Sequence, residues 1–332
     1  MKKLFVAAAV AALTLVGSAS AQTPIVLKFS HVVAPDTPKG RAAQRFQELA
    51  AKYTDGKVKV EVYPNSQLYK DNEELEALQL GSVQMLAPSL AKFGPLGVRE
   101  FEVFDIPYII PSKDALKRIT TGPVGKGLLA KLEPKNIVGL AYWDNGFKIM
   151  SANRPLHVPA DFRGLKMRIQ SSKVLEAEMR ALGAVPQVMA FSEVYQGLQT
   201  GVVDGTENPP SNMYTQKMHE VQKNATLSDH GYLGYAVIVN KKFWDGLPAD
   251  VRAGLTKAMD EATVYANEIA GKDNEDALAA MKKAGKTDFY TLKPEERDAW
   301  MKALEPVAKE MEARVGKDLI DQFRTAAKGA TN

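Results

Sequence analysis

The sequence predicts an α/β fold of two lobes braced by a long C-terminal helix. Three observations predict it. Strand-like and helix-like hydrophobic patterns alternate from residue 25 to residue 239, which is the signature of an α/β sheet with parallel strands. The chain has 332 residues, too many for one core to serve comfortably. Residues 248–283 then form a single helical pattern, with Val251, Leu255, Ala258, Ala262, Tyr265 and Ile269 on one stripe.

The first residues are expected to lie outside this fold. Lys2 and Lys3 precede an apolar run over residues 4–16, and Ala19-Ser20-Ala21 ends it with small residues. That is the plan of a cleaved export signal, so a signal peptide is expected at 1–21 and a mature start at Gln22. The run is short of the roughly 20 residues needed to span a bilayer. About 311 residues remain.

Residues 25–30 alternate, with Ile25, Leu27 and Phe29 on one face, and read as a strand. A helix over 39–53 follows, with Ala42, Phe46, Leu49 and Tyr53 as its stripe and Pro38 in its first turn. Val58, Val60 and Val62 mark a second strand. Asp71 with Glu74 reads as a capping box opening a helix that stops at Gly81, before a short strand at 83–86. Further strands are predicted at 137–143, 165–169, 185–189, 202–206 and 235–239, with helices at 172–182 and 192–200. Pro294 opens a last helical tract, with an interruption expected at Pro306. No glycine-serine linker separates the lobes. The crossings between them are therefore expected to be strands, which suits a hinge between rigid bodies.

Composition excludes several functions. There is no cysteine, hence no thiolate nucleophile, no cysteine metal site and no disulfide. Without Lys2 and Lys3, 41 basic residues face 39 acidic ones. No basic block tracks phosphates, and nucleic acid is not expected as a partner. His31, His157, His219 and His230 are dispersed without metal-ligand spacing. No nucleophile elbow is present. The string from Gly122 to Gly127 has the wrong spacing for a phosphate loop. No catalytic residue, metal or cofactor is expected.

The residue that calls for a ligand is Arg168. Leu165, Met167 and Ile169 share one face of its strand, and Lys166 and Arg168 take the other. A guanidinium beside a core needs an anion. Its planar fork grips a carboxylate through two parallel bonds. Either a ligand or an internal acid such as Glu193 or Glu207 would satisfy it. Asn208, before Pro209, can donate to a carboxylate without adding charge, or can simply serve a turn. Lys148 is a candidate second cation. Phe191, at a helix start, can wall a pocket. His31 and Lys39 flank the first strand-to-helix turn, another usual ligand edge.

The segments GLKMRIQ from Gly164 and AFSEVYQGLQTGVVDGTENP from Ala190 resemble the extracytoplasmic solute-binding proteins of TRAP (tripartite ATP-independent periplasmic) transporters. LKFSHVVAPDTPKG, WDNGFKIMSANRPL and GYAVIVNKKFWDGLP extend the likeness over essentially the whole mature chain. The branch that binds four-carbon dicarboxylates is the most similar. The resemblance implies a two-lobed periplasmic-binding-protein fold with a long C-terminal helix across both lobes. Lobe I would comprise residues 22–146 plus about 233–270, and lobe II 147–232 plus about 271–332. It further implies a monomer in the periplasm that takes a small organic diacid and hands it to membrane permease subunits, with no enzymatic step. Arg168 matches the family's carboxylate clamp, Asn208 its support, and Phe191 its pocket aromatic. Lys148 stands where many relatives carry arginine, which keeps the charge and loses the fork. Ser89 falls where relatives vary with ligand, and is expected to contribute selectivity. Another organic acid as cargo, or an exported α/β hydrolase, are the alternative readings.

Overall fold

The computed structural model describes residues 23–329; the signal-peptide reading of residues 1–21 lies outside them. Eleven strands among the described residues form two sheets. The first contains β1 (Ile25–Ser30), β2 (Val58–Tyr63), β3 (Met85–Leu86), β4 (Ile137–Phe147) and β10 (Tyr232–Asn240), in the order β2-β1-β3-β10-β4. The second contains β5 (Ile149–Ala152), β6 (Lys166–Ile169), β7 (Val185–Val188), β8 (Gly205–Asn208), β9 (Asn224–Leu227) and β11 (Asp288–Thr291), in the order β11-β9-β5-β8-β6-β7.

The expectation of parallel sheets is half right. β1 runs parallel to β2 and β3, and β6 runs parallel to β7 and β8. The strands that connect the two sheets run antiparallel. β4 passes through Lys148 into β5, and the chain returns from β9 into β10, which pairs antiparallel with β4. One strand leaves and another comes back, so antiparallel pairing follows from the crossing itself.

α1 (Pro38–Tyr53) begins where Thr37 Oγ1 accepts the Gly40 N–H at 3.0 Å, and buries Ala42, Phe46 and Leu49. The long helix spans Ala249–Ala284 and stops at Gly285, whose left-handed φ of 65° suits a helix end. It packs on α1 and β4, and further along on the helix Pro210–Thr215 beside the second sheet. Asn274 of this helix fastens the crossing: its Nδ2 donates to the Asn145 carbonyl at 2.7 Å, and its Oδ1 accepts the Ser211 N–H at 2.9 Å. The brace read from the sequence therefore touches both sides.

Two local expectations change. Pro306 lies inside a continuous helix, Pro294–Glu310, on an exposed face where water can take the carbonyl that proline leaves unpaired. The strand expected at 202–206 is shifted to β8. The string from Gly122 to Gly127 is a helix corner, with Pro123 in the first turn of Pro123–Ala130. The last helix, Lys317–Lys328, packs on Lys113–Thr121, residues expected in the other lobe. Phe323 meets Phe104 edge to face, with ring centroids 4.9 Å apart. Among the described residues no helix is long and apolar enough to cross a membrane.

Candidate ligand-binding cleft

A small cleft lies between the sheets, at the ends of β1, β6 and β8. Lys39, Asp71, Glu74, Ser89 and Lys92 reach it from the first-sheet side, and Arg168, Gln170, Phe191 and Asn208 from the second. Ligands of α/β folds sit at such carboxyl ends.

Arg168 pairs through β6 with Gln187 and Thr206 on its two neighbours. Its side chain is 2% exposed. Nε donates to the Met189 carbonyl at 3.0 Å, and the guanidinium carbon stands 5.8 Å from the Phe191 ring centroid. Nη2 is buried without a hydrogen-bond acceptor. Burial lowers the Arg168 pKa, but an arginine keeps its proton. The acid nearest to it is neither Glu193 nor Glu207. Glu193 pairs with Lys70 at the surface. Asp71 Oδ2 lies 3.9 Å from Arg168 Nη2 and 2.7 Å from Lys92 Nζ, while Oδ1 accepts the Phe191 N–H at 3.1 Å. Burial opposes its charge, yet Lys92 and Arg168 hold the Asp71 pKa below its ordinary value.

Asp71 therefore does not cap a helix. α2 (Glu74–Gln79) starts without a side-chain cap, and Asp71 instead links the two walls of the cleft. Lys92, also unforeseen, lies in the 3-10 turn Leu90–Lys92 after Ser89. Its signal was a lone lysine within the apolar stretch from Ala87 to Phe93. Lys39 Nζ donates to the Ala87 carbonyl at 2.9 Å and stands 3.8 Å from the Tyr235 ring centroid. Burial brings its pKa down to about 8, against the attraction of Glu74 and Asp71. Ser89 Oγ and Asn208 line the same space. Asn208 Nδ2 donates to the Met218 sulfur at 3.8 Å.

Two expected contacts are not on the cleft surface. His31 is buried behind it, edge-on to Phe29, with neither ring nitrogen bonded. Burial, then Lys39, push its pKa down to about 3, so it is neutral. Lys148 is 1% exposed, and its Nζ is 2.6 Å from Glu207 Oε1. Burial works against that ammonium, yet Glu207, Glu178 and Asp105 raise its pKa. The second-cation role expected of Lys148 fails because its ammonium is buried outside the cleft lining, paired with Glu207. Glu207 also receives His230 Nε2 at 2.8 Å, and His230 Nδ1 meets Ser228 Oγ at 2.7 Å. Although burial disfavours the charge, Lys148 and His230 bring the Glu207 pKa to about 2. Glu178 lies 3.3 Å from His230 Nε2, and burial raises its pKa well above the ordinary value. This network sits under β8 and fixes the strand that presents Asn208.

Gly205 starts β8 under tight packing. A Cβ there would run into the Ser151 carbonyl oxygen and approach Met167 Sδ to 2.7 Å. Gly205→Ala is expected to destabilise the protein by about 1–3 kcal/mol, read as a lower urea midpoint.

Comparison with known proteins places the chain in a family. Residues 29–314 match the model of bacterial extracellular solute-binding proteins, family 7. The C4-dicarboxylate-binding periplasmic protein DctP of Rhodobacter capsulatus is 73% identical over 303 residues, 91% of each chain. A TRAP periplasmic solute-binding protein from Sulfurospirillum deleyianum, solved with bound succinate, superposes with a TM-score of 0.88 at 47% identity, covering 91% of this chain and 99% of that one. A counterpart from Pseudomonas aeruginosa, solved with bound L-malate, gives 0.84 at 44% identity, covering 86% and 100%. The chain belongs to the family 7 bacterial extracellular solute-binding proteins.

Proposed function

We propose that this protein captures a small dicarboxylate, such as succinate, fumarate or malate, in the cleft between its two sheets. The observation that carries the reading is the buried Arg168 guanidinium, which lines the cleft and whose Nη2 has no hydrogen-bond acceptor. An unmet donor of this kind is costly unless a ligand supplies the acceptor. The relative named as a C4-dicarboxylate-binding protein and the neighbours solved with succinate and L-malate support the same cargo.

One ligand carboxylate meets Arg168 and Asn208, with Phe191 as the wall. The other meets Lys92 and Lys39, with Ser89 beside them. Each wall thus holds one end of the diacid. Contacts that complete only when both walls meet favour the closed state over the open one. Binding requires no covalent step. The protein serves in the periplasm, in keeping with the expected export signal and with the name of its relative. It releases its cargo to membrane permease subunits, and one chain supplies both walls, so a monomer suffices.

Two cationic ends demand two acid groups. Butyrate, with one carboxylate, is therefore expected to give a much smaller thermal shift and weaker calorimetric binding than succinate, because its methyl end strands buried charge. Equal responses to the two, or a stronger response to a sugar acid or aromatic acid, would contradict the reading.

A further inference from the structure

Glu74 opens α2 on the first-sheet wall and is 1% exposed. Among the described residues its carboxyl group makes no ion pair and no side-chain hydrogen bond, although it lines the cleft. The charged groups around it come from every neighbouring element. They are Lys39 of α1, Asp71 of the preceding turn, Lys92 of the 3-10 turn after β3, and Arg168 of β6 across the cleft. His31, behind Lys39, is uncharged.

With both acids ionised, three cations face two anions, and the site carries a net single positive charge. A bound dianion would reverse that sign in a space closed to water, which is costly. A proton on Glu74 returns the filled site to neutrality. It also changes the chemistry of the group, since an ionised carboxylate only accepts hydrogen bonds while a carboxylic acid can donate one.

We propose that Glu74 is a ligand-binding residue that works in its protonated form: the diacid is captured together with one proton, and Glu74 donates a hydrogen bond to the carboxylate held by Lys39 and Lys92. The inference rests on the dicarboxylate reading and adds the proton to it. Burial already pushes the Glu74 pKa up to about 7, against the pull of Lys39 and with help from Asp71. Capture of a dianion raises the pKa further. The sign follows. The contribution is fully present below about pH 7, and succinate affinity declines above it, toward tenfold per pH unit, until Lys39 begins to lose its own proton near pH 8.

The test is succinate calorimetry at pH 7 in buffers of different ionisation enthalpy, joined to an infrared difference spectrum of succinate-saturated minus free protein. We expect net proton uptake on succinate binding, retained in Lys39→Arg, whose guanidinium does not exchange protons here. We also expect a gain in the carbonyl band of a protonated carboxylic acid, a gain that is missing in Glu74→Gln at saturating succinate. Tight binding without proton uptake, uptake lost in Lys39→Arg, or a gain that persists in Glu74→Gln would overturn the role of Glu74 and leave the dicarboxylate reading intact. No succinate binding by the unaltered protein would remove both.

Discussion

Arg168→Ala should weaken succinate binding by at least about 1.5–3 kcal/mol, the scale of one hydrogen bond to a charged group, or roughly one to two decades in Kd. The variant removes more than a contact. Nε no longer ties the side chain to the Met189 carbonyl, the Phe191 ring loses its cation, and Asp71 keeps only Lys92 as its partner. Asp71 then presents a less compensated negative charge to an incoming dianion. Arg168→Lys should also bind more weakly, because an ammonium offers a point charge where the guanidinium offers a fork. Isothermal calorimetry, with circular dichroism to verify folding, decides the matter. Unchanged affinity in either variant would mean that the guanidinium does not hold the ligand.

Lys148→Met is expected to act on stability instead. It deletes the ammonium beside Glu207 and leaves a carboxylate buried with only His230 nearby. Removing one partner of a buried pair typically costs about 3–5 kcal/mol, which a lower urea midpoint at pH 7 would report. The acid limb carries a second signature. Glu207 has a folded-state pKa of about 2, below its ordinary value of 4.5. Its contribution is therefore present above pH 4.5 and is lost as the pH falls toward 2. In Lys148→Met the folded-state pKa rises toward the ordinary value, so this acid-dependent contribution shrinks. Lys148→Met/Glu207→Gln should recover part of the loss, since no charge is stranded. A single variant as stable as the unaltered protein would show that the pair contributes little.

These two results separate functions that the sequence left joined. Arg168 was legible because it stands on a short strand between the apolar Met167 and Ile169, and a charge placed beside a core points to a partner. The long helix was legible because its stripe persists from Val251 to Ile269. Pairings were not legible. Lys148 meets Glu207, 59 residues away, and that encounter depends on antiparallel β5–β8 pairing, which no local pattern specifies. Asp71 followed by Glu74 has the local form of a capping box, yet its carboxylate pairs with Lys92 beside it and faces Arg168 across the cleft. Non-local electrostatics overrode a local rule there, as is common where a chain builds a site. His31 misled in the opposite direction: it is adjacent in sequence to cleft-lining Val32, but its ring turns into the core.

The central claim is that Arg168 takes its anion from a bound diacid. A crystal structure of the protein with succinate tests it most directly. The expected result is one ligand carboxylate within hydrogen-bond distance of Arg168 Nη2 and Asn208 Nδ2, with the other near Lys92 and Lys39. Succinate bound elsewhere, with Arg168 still facing only Asp71, would contradict it.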